Sequence, residues 1–286
     1  MPSNVSTPER RSTPTGSLYA TATVYTDNRQ YDRVDWRNLP CPTSGLYSLC
    51  ESHTKLTTEG SLASADGAWL IQAVECESPV TDLDLYGSEA IRLLEVSSTV
   101  LAEQLLLTGG PDADPTGTYL QSSGVDVVGG SASALDVVPA ISAMIEALDD
   151  YMLGGRGYIH VPRWTVPYLT FYGLAVRNNS ELIVANTDHR FIAGAGYDGT
   201  GPADAQPGTG EAWIYGTGHV DVHQTPITIP GLDDNDQGTI IPFLDPATNV
   251  KSVIAERAAA VVFDDCAHLA VLMCTPNPGP GCGDVG

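Results

Sequence analysis

His219, Asp221 and His223 stand at alternate positions of the run GHVDVH. On a β-strand alternate residues share one face, so the spacing offers two imidazoles and a carboxylate on one side. These are donors for a divalent cation such as zinc, and they define one reading of the chain, a metal-dependent hydrolase. A plainer reading makes Val220 and Val222 core residues and the polar trio the solvent side of a half-buried strand. Same-face neighbours lie about 7 Å apart along a strand, so three of them reach one ion only where the strand bends.

Three other groupings carry some chemistry. Cys266 and His268, behind Asp264 and Asp265, have the residue types of a Cys–His nucleophile. They sit two apart in an apolar run, as two partly buried strand residues would. Asp233, Asp234 and Asp236 in PGLDDNDQG suggest a cation loop, without the D-x-D-x-D-G-x5-E spacing of a calcium site. Gly194 and Gly196 in AGAGYDGTG resemble a phosphate loop, but neither G-x-G-x-x-G before a helix nor Gly-Lys-Ser/Thr is present. Hairpin turns account for them better. There is no G-x-S-x-G elbow and no H-E-x-x-H. The six cysteines (Cys41, Cys50, Cys76, Cys266, Cys274, Cys282) form no C-x-x-C pair, and without an export signal mostly free thiols are expected. No residue is assigned as catalytic, cofactor-binding or metal-binding, and no cofactor is expected.

The elements that would position these residues are legible in part. Residues 1–17 are Ser-, Thr- and Pro-rich and read as a mobile arm. LYATATVYT (18–26) could add to a sheet edge, and 27–45 reads as loop. Ala68–Val74 is strand-like; with the small, polar 57–67 before it, 46–77 suggests a projecting hairpin. Residues 81–108 predict a helix, with Ile91, Leu94, Leu101 and Leu105 at helical spacing and Gly109–Gly110–Pro111 as the stop. A second helix is expected from Ser133 to Met152, with Ser133 and Asp136 as a capping box and Pro139 early enough to be tolerated. Strands follow at 157–162, 181–185, 190–197, 212–223 and 250–265, with 266–273 last. A short helix from Arg163 to Tyr172 is expected to break at Pro167. The order is α+β.

Composition narrows the function classes. Formal net charge is −22, from 13 basic and 35 acidic residues, with Lys55 and Lys251 the only lysines. Such a surface repels a polyanion and excludes binding of nucleic acid through phosphates over most of it. Residues 1–40 differ: five arginines (Arg10, Arg11, Arg29, Arg33, Arg37) face four acids. One reading is an arm lying on an acidic neighbouring subunit; the other is a disordered tail. No apolar run approaches the ~20 residues of a membrane span, so a soluble, cytosolic protein is expected.

The order of the second half resembles a known family. A helix runs into GRGYIHVPRWTVPYL, followed by the turn VRNNSEL, the strand FIAGAGY, the segment EAWIYGTGHVDVHQ and finally AERAAAVVFDDCAHLAVL. This is similar to major capsid proteins of tailed bacteriophages, the Hong Kong 97-type fold that encapsulins share. The matching strings are Tyr158–Pro162, Ala255–Glu256–Arg257, and the strand pair Val253–Phe263 and His268–Met273, within roughly residues 80–275. The Ala/Gly/Asp-rich, Lys-poor composition is similar to that of phages of actinobacteria.

The resemblance implies a Hong Kong 97-like α+β fold in four parts. These are an N-terminal arm (1–40), an extended loop region (41–77), a peripheral domain (78–130, with a returning strand near 220–258) and a mostly axial domain (131–286). It implies a non-enzymatic subunit that assembles with many copies of itself, as hexamers and pentamers, into an icosahedral virion shell in the host cytoplasm. The shell would enclose double-stranded DNA without reading its sequence, alongside portal and scaffolding or decoration proteins. Two departures stand out. The 81–108 helix is short for the family's spine and holds Gly87, and with Lys55 and Lys251 as the only lysines covalent Lys–Asn crosslinking between subunits is not expected, although Lys55 falls in the extended loop. The alternatives are an encapsulin-type shell or another virion protein and, from a different class, the hydrolase built on His219, Asp221 and His223.

Overall fold

The computed structural model describes residues 14–28, 33–37, 62–76, 83–111, 113, 117–129, 134–230, 243–245 and 250–275. The elements in chain order are α1 (Leu18–Thr21), β1 (Thr23–Thr26), β2 (Arg33–Arg37), β3 (Leu62–Asp66), β4 (Ala68–Cys76), α2 (Leu83–Thr108), β5 (Asp126–Val127), β6 (Leu135–Asp136), α3 (Val137–Met152), β7 (Tyr158–Pro162), α4 (Val166–Phe171), β8 (Ala175–Asn178), β9 (Glu181–Val184), β10 (Arg190–Gly194), β11 (Glu211–Thr217), β12 (Val220–Gln224), β13 (Phe243–Asp245), β14 (Val250–Phe263) and β15 (His268–Cys274). Among the described residues no helix is long and apolar enough to cross a membrane.

Two sheets carry the molecule. One has eight strands in the order β5-β15-β11-β7-β10-β9-β8, with β6 also on β15. The other has five, β1-β12-β14-β13, with β4 also on β14. Strand β7 is buried at all five positions because both faces of its sheet are covered. On one face, Ile141, Met144 and Leu148 of α3 and Leu169 of α4 pack against Ile159, Val161, Phe191, Ile214, Leu269 and Val271. On the other, Tyr158, Ile192, Trp213 and Tyr215 meet Leu106 and Leu107 of α2 and Val222, Val261 and Phe263 of the five-stranded sheet. The first half of α2 lies on that second sheet, with Ala90 and Leu94 against Leu70, Val253 and Ala255.

One ribbon runs through both sheets. β11 pairs antiparallel with β15 in the larger sheet, from Glu211↔Cys274 to Thr217↔His268. β12 pairs antiparallel with β14 in the smaller, beginning at Val220↔Phe263. The expected strand 212–223 is therefore two strands, broken at Gly218. There Gly218 N–H donates to Asp264 O at 3.2 Å and Asp264 N–H to His219 O at 2.8 Å. A Cβ on Gly218 would stand 2.8 Å from Asp264 Cβ, so the crossing needs a residue without one.

Several other expectations are corrected. The second helix begins at Val137 rather than Ser133, which lies outside the described residues. Pro139 explains this, because a start at 133 would put its missing N–H and its ring deep in the helix. Leu135 and Asp136 instead pair with Met273 and Cys274. Asp136 stands at the N-cap, and its side chain makes no capping hydrogen bond. Pro167 opens α4 instead of breaking a helix. The strand at Ala68–Val74 exists as β4 and pairs with β14, from Lys251↔Cys76 to Ala259↔Ala68, not with a hairpin partner. The ladder before it joins β3 to β2, from Arg33↔Asp66 to Arg37↔Leu62, within a segment read as loop. Cys266 and Cys274 are disulfide-bonded, against the expectation of free thiols.

Residues 18–26 add to a sheet edge as expected, through β1, and the described segment 14–28 differs from an arm lying on a neighbouring subunit. Residues 14–28 dock on their own molecule. Gly16 N–H donates to Ser180 O at 2.7 Å, Ala193 N–H donates to Gly16 O at 2.6 Å, and β1 adds to β12 in parallel. Leu18 is wholly buried beside Leu106 and Leu120. Leu18→Ala is expected to cost about 2–5 kcal/mol of unfolding free energy. Urea denaturation reads this directly, and a loss under about 1 kcal/mol would mean that the segment is not docked in solution.

Candidate functional site

The hydrolase trio does not converge. His219 lies at the sheet crossing, before β12 begins, and its Nε2 is 3.0 Å from Asp221 Oδ1 and 3.1 Å from Thr23 Oγ1. The contact with Asp221 is an ion-pair distance without hydrogen-bond alignment, since Oδ1 accepts no hydrogen bond. Its Nδ1 stands 3.4 Å from Tyr158 Oη. His223 instead stacks on the Tyr25 ring, with centroids 5.0 Å apart. Val220 and Val222 are buried, as the plainer reading requires. Among the described residues no group of three His, Cys, Asp or Glu side chains is placed to hold a metal.

The remaining candidates separate as well. Cys266 is disulfide-bonded, which removes it as a nucleophile. Burial pushes His268 below its usual range; its Nε2 is 3.3 Å from Leu120 O and its ring packs edge-on against Phe263. Burial and the neighbouring Asp264 push the Asp265 carboxyl up. Asp233, Asp234, Asp236 and Lys55 lie outside the described residues. A cleft of about 300 Å³ is lined by Ala68, Trp69, Leu70, Leu101, Leu105 and Pro111 among others, and none of its lining residues titrates.

What the fold does assemble is a buried polar chain between helix α2 and the sheet crossing. Glu103 is completely buried on α2. Its Oε1 accepts from Leu18 N–H at 3.2 Å and its Oε2 from Gly196 N–H at 3.0 Å. Burial pushes this carboxyl above its ordinary value, and the Gly196 and Leu18 amides and the Arg163 charge pull in the opposite direction. The AGAG segment makes this contact possible. A Cβ on Gly196 would come within 2.4 Å of Val100 O, and one on Gly194 within 2.6 Å of the Tyr197 ring. These glycines serve close backbone approach to α2, not the hairpin turn expected from sequence and not a phosphate.

Next along the chain, Tyr197 Oη and His160 Nδ1 are 3.0 Å apart, and His160 Nε2 and Thr217 Oγ1 are 2.9 Å apart. Thr217 Oγ1 donates to Gly218 O at 3.1 Å. Since the Thr217 hydroxyl proton is spent on Gly218, His160 Nε2–H donates to it and Nδ1 accepts from Tyr197. Burial drives His160 down to about 3 and Tyr197 well above its usual value, so both are neutral in the folded chain. A second histidine repeats the pattern: His189 Nδ1 accepts from Gly157 N–H at 2.9 Å, while Nε2 faces Asp149 Oδ1 at 3.2 Å. Single histidines in or beside apolar strands were the available signal, but pairing His160 with its hydroxyls and His189 with its amide and carboxylate needs the tertiary fold.

Glu103, Tyr197, His160 and Thr217 are all buried, so the chain can position strands but meets no substrate. Its stability effect has a definite sign. Folded His160 titrates near 3 against an ordinary 6.5, so the unfolded chain binds the extra proton between those values. Stability from this group is complete above pH 6.5 and falls as pH drops through the window. Glu103, shifted upward, acts in the opposite sense. We expect wild type to lose up to about 1.4 kcal/mol per pH unit more than His160→Gln between pH 6 and 4. Equal slopes in denaturant titrations of the two proteins would disprove this assignment.

No family model and no curated protein sequence matches the chain. Solved structures do share its fold. The capsid of an empty GTA particle aligns at TM-score 0.53 and 12% identity, over 96% of this chain and 94% of that one. The capsid of the native GTA particle aligns at TM-score 0.50 and 12% identity, with the same coverage. Mycobacterium phage Adephagia follows at 0.49 and 12%, over 95% and 93%. The chain has the α+β fold of Hong Kong 97-like phage capsid proteins.

Proposed function

We propose that this chain is a major capsid protein that self-assembles into the icosahedral head shell of a tailed bacteriophage, around double-stranded DNA. The observation that carries the reading is the fold match to a capsid over 96% of the chain. Supporting it, among the described residues the candidate groups at His219, Asp221, His223, Cys266 and His268 do not converge and the buried polar chain is sealed, which a structural role accounts for. The charge of −22 keeps the wall from adhering to packaged DNA, which is enclosed without sequence-specific binding.

In this reading residues 1–40 are the arm, 41–77 the extended loop region, 78–130 the peripheral domain and 131–286 mostly the axial domain. The antiparallel β2–β3 ladder supports the loop assignment, because the chain leaves and returns at the same end. The pairing of β12 and β14 in the sheet under α2 supports a strand segment near 220–258 returning to the peripheral domain. The arm then has an anchored part, 14–28. The protein's partners are further copies of itself, in hexamers and pentamers, with portal and scaffolding or decoration proteins. Its location is the virion, after assembly in the host cytoplasm. An encapsulin-type shell differs in cargo rather than in these contacts.

Electron microscopy of the expressed protein should show closed particles of megadalton mass. A stable species of 30.1 kDa at high concentration would overturn the proposal. The His219→Ala/His223→Ala double variant should assemble normally with unchanged metal content. Stoichiometric zinc in wild type, lost in that variant, would favour the hydrolase instead.

A further inference from the structure

The acidic residues of this chain are unevenly spread. Acids are 35 of 286 residues, so a stretch of 30 should hold about four. Residues 151–180 hold none and carry three arginines; no longer acid-free run exists in the sequence. This same stretch includes the most exposed large apolar side chain described, Phe171, at 82%. Trp164 and Tyr172 beside it are 45% and 43% exposed.

These residues form one surface. The 3-10 turn Arg163–Thr165 runs directly into α4, which puts Trp164 and Phe171 at i and i+7 on one exposed side, while Tyr168 between them is half-buried and packs on the core. Thr165 and Leu169, on another side of the helix, are buried. Phe171 and Tyr172 pack edge-on, with centroids 5.3 Å apart. Strand β8 follows, exposing Arg177, and ends the eight-stranded sheet with its outer edge unpaired among the described residues. An exposed aromatic stripe next to an open strand edge is a surface that associates.

A complementary surface lies on the same half of the molecule. The last turns of α3 expose Glu146, Asp149 and Asp150 next to Tyr151 and Leu153, which are 42% and 46% exposed. Apolar side chains bordered by acids, at the negative end of a 16-residue helix, match apolar side chains bordered by an arginine. A chain of charge −22 repels its own copies, so copy-to-copy contact is most favourable where acids are missing from one of the two faces.

We propose that the α4–β8 face (Trp164, Phe171, Tyr172, Arg177) docks onto the acidic end of α3 (Glu146, Asp150) in a second copy of this chain. Because the two faces differ, the contact is head-to-tail and repeats around a ring. This rests on the shell reading and specifies one contact within it.

The test is the protein concentration at which sedimentation velocity first detects large particles. Phe171→Ser and Arg177→Glu should each raise this threshold at least tenfold, with circular dichroism and monomer melting unchanged, since both side chains are exposed. Adding Asp150→Arg to Arg177→Glu should restore most of the loss. If wild type forms no large particle at any concentration, the shell reading itself fails. If wild type assembles and neither single variant shifts the threshold, or the charge swap recovers nothing, this docking contact is wrong and the shell reading stands.

Discussion

The crossing at Gly218 and Asp264 is the constraint on which the rest of the fold depends. Four strands in two sheets form one continuous ribbon, and a single pair of backbone contacts turns both members from one sheet to the other. Between Thr217↔His268 and Val220↔Phe263, one side of the ribbon has two residues and the other has four. The extra residues form the turn Asp264–Ala267, where Cys266 N–H donates to Asp264 Oδ1 at 3.1 Å. Unequal counts bend a ribbon, as a bulge does, and here the bend redirects the strands into a different sheet. The two sheets therefore share a covalent and hydrogen-bonded axis, and neither can reorient without deforming it.

The buried polar groups make sense as supports of that axis. Thr217 is the last residue before the crossing, and the hydroxyl that donates to Gly218 O is held from the far side by His160 and Tyr197. Glu103 then fixes the AGAG segment against α2 and, with its other oxygen, the amide of Leu18. A buried carboxylate is costly when unpaired. Two backbone amides and the field of Arg163 offset that cost, so this group ties three distant segments at one point. Its use is specificity of arrangement: an apolar residue at 103 could fill the space but could not choose between the Leu18 amide and any other neighbour.

The sequence made the helices and most strands readable because their signals are local. The stripe through Ile91, Leu94, Leu101 and Leu105 and the stop at Gly109–Gly110 correspond to α2, whose Gly109 N–H closes on Leu105 O at 2.8 Å. The resemblance carried by Tyr158–Pro162 and Ala255–Glu256–Arg257 led to the right fold; the first string is a buried inner strand of the larger sheet and the second lies in the 14-residue strand of the smaller. What could not be read was non-local. HVDVH alternates, and Val220 and Val222 are buried as a half-buried strand requires, but nothing local shows that His219 precedes the strand or that His223 stacks on Tyr25 from a segment almost 200 residues away. Arg33–Arg37 alternates Val34 and Trp36 with charged residues inside a polar stretch, and its pairing with Leu62–Asp66 is too distant in sequence to read. Leu18, a single apolar residue after a polar leader, gave no sign that α2 and the AGAG segment had a cavity shaped for it.

Charge distribution links the single molecule to its assembly. High net charge keeps separate copies dispersed and opposes their association, so in the proposed shell a chain with 35 acids would need its attraction localised. The acid-free run from Tyr151 to Ser180 has that form: β7 and the inner side of α4 are core, and only its outer side chains reach solvent. The same 30 residues thus contribute both a central strand of the larger sheet and the aromatic surface outside it. Because the surface is built on a buried strand through a one-turn linker, its position is fixed relative to the ribbon crossing. A contact made there would orient both sheets of a copy at once, which is the geometric requirement for repeated head-to-tail contacts to close rather than wander.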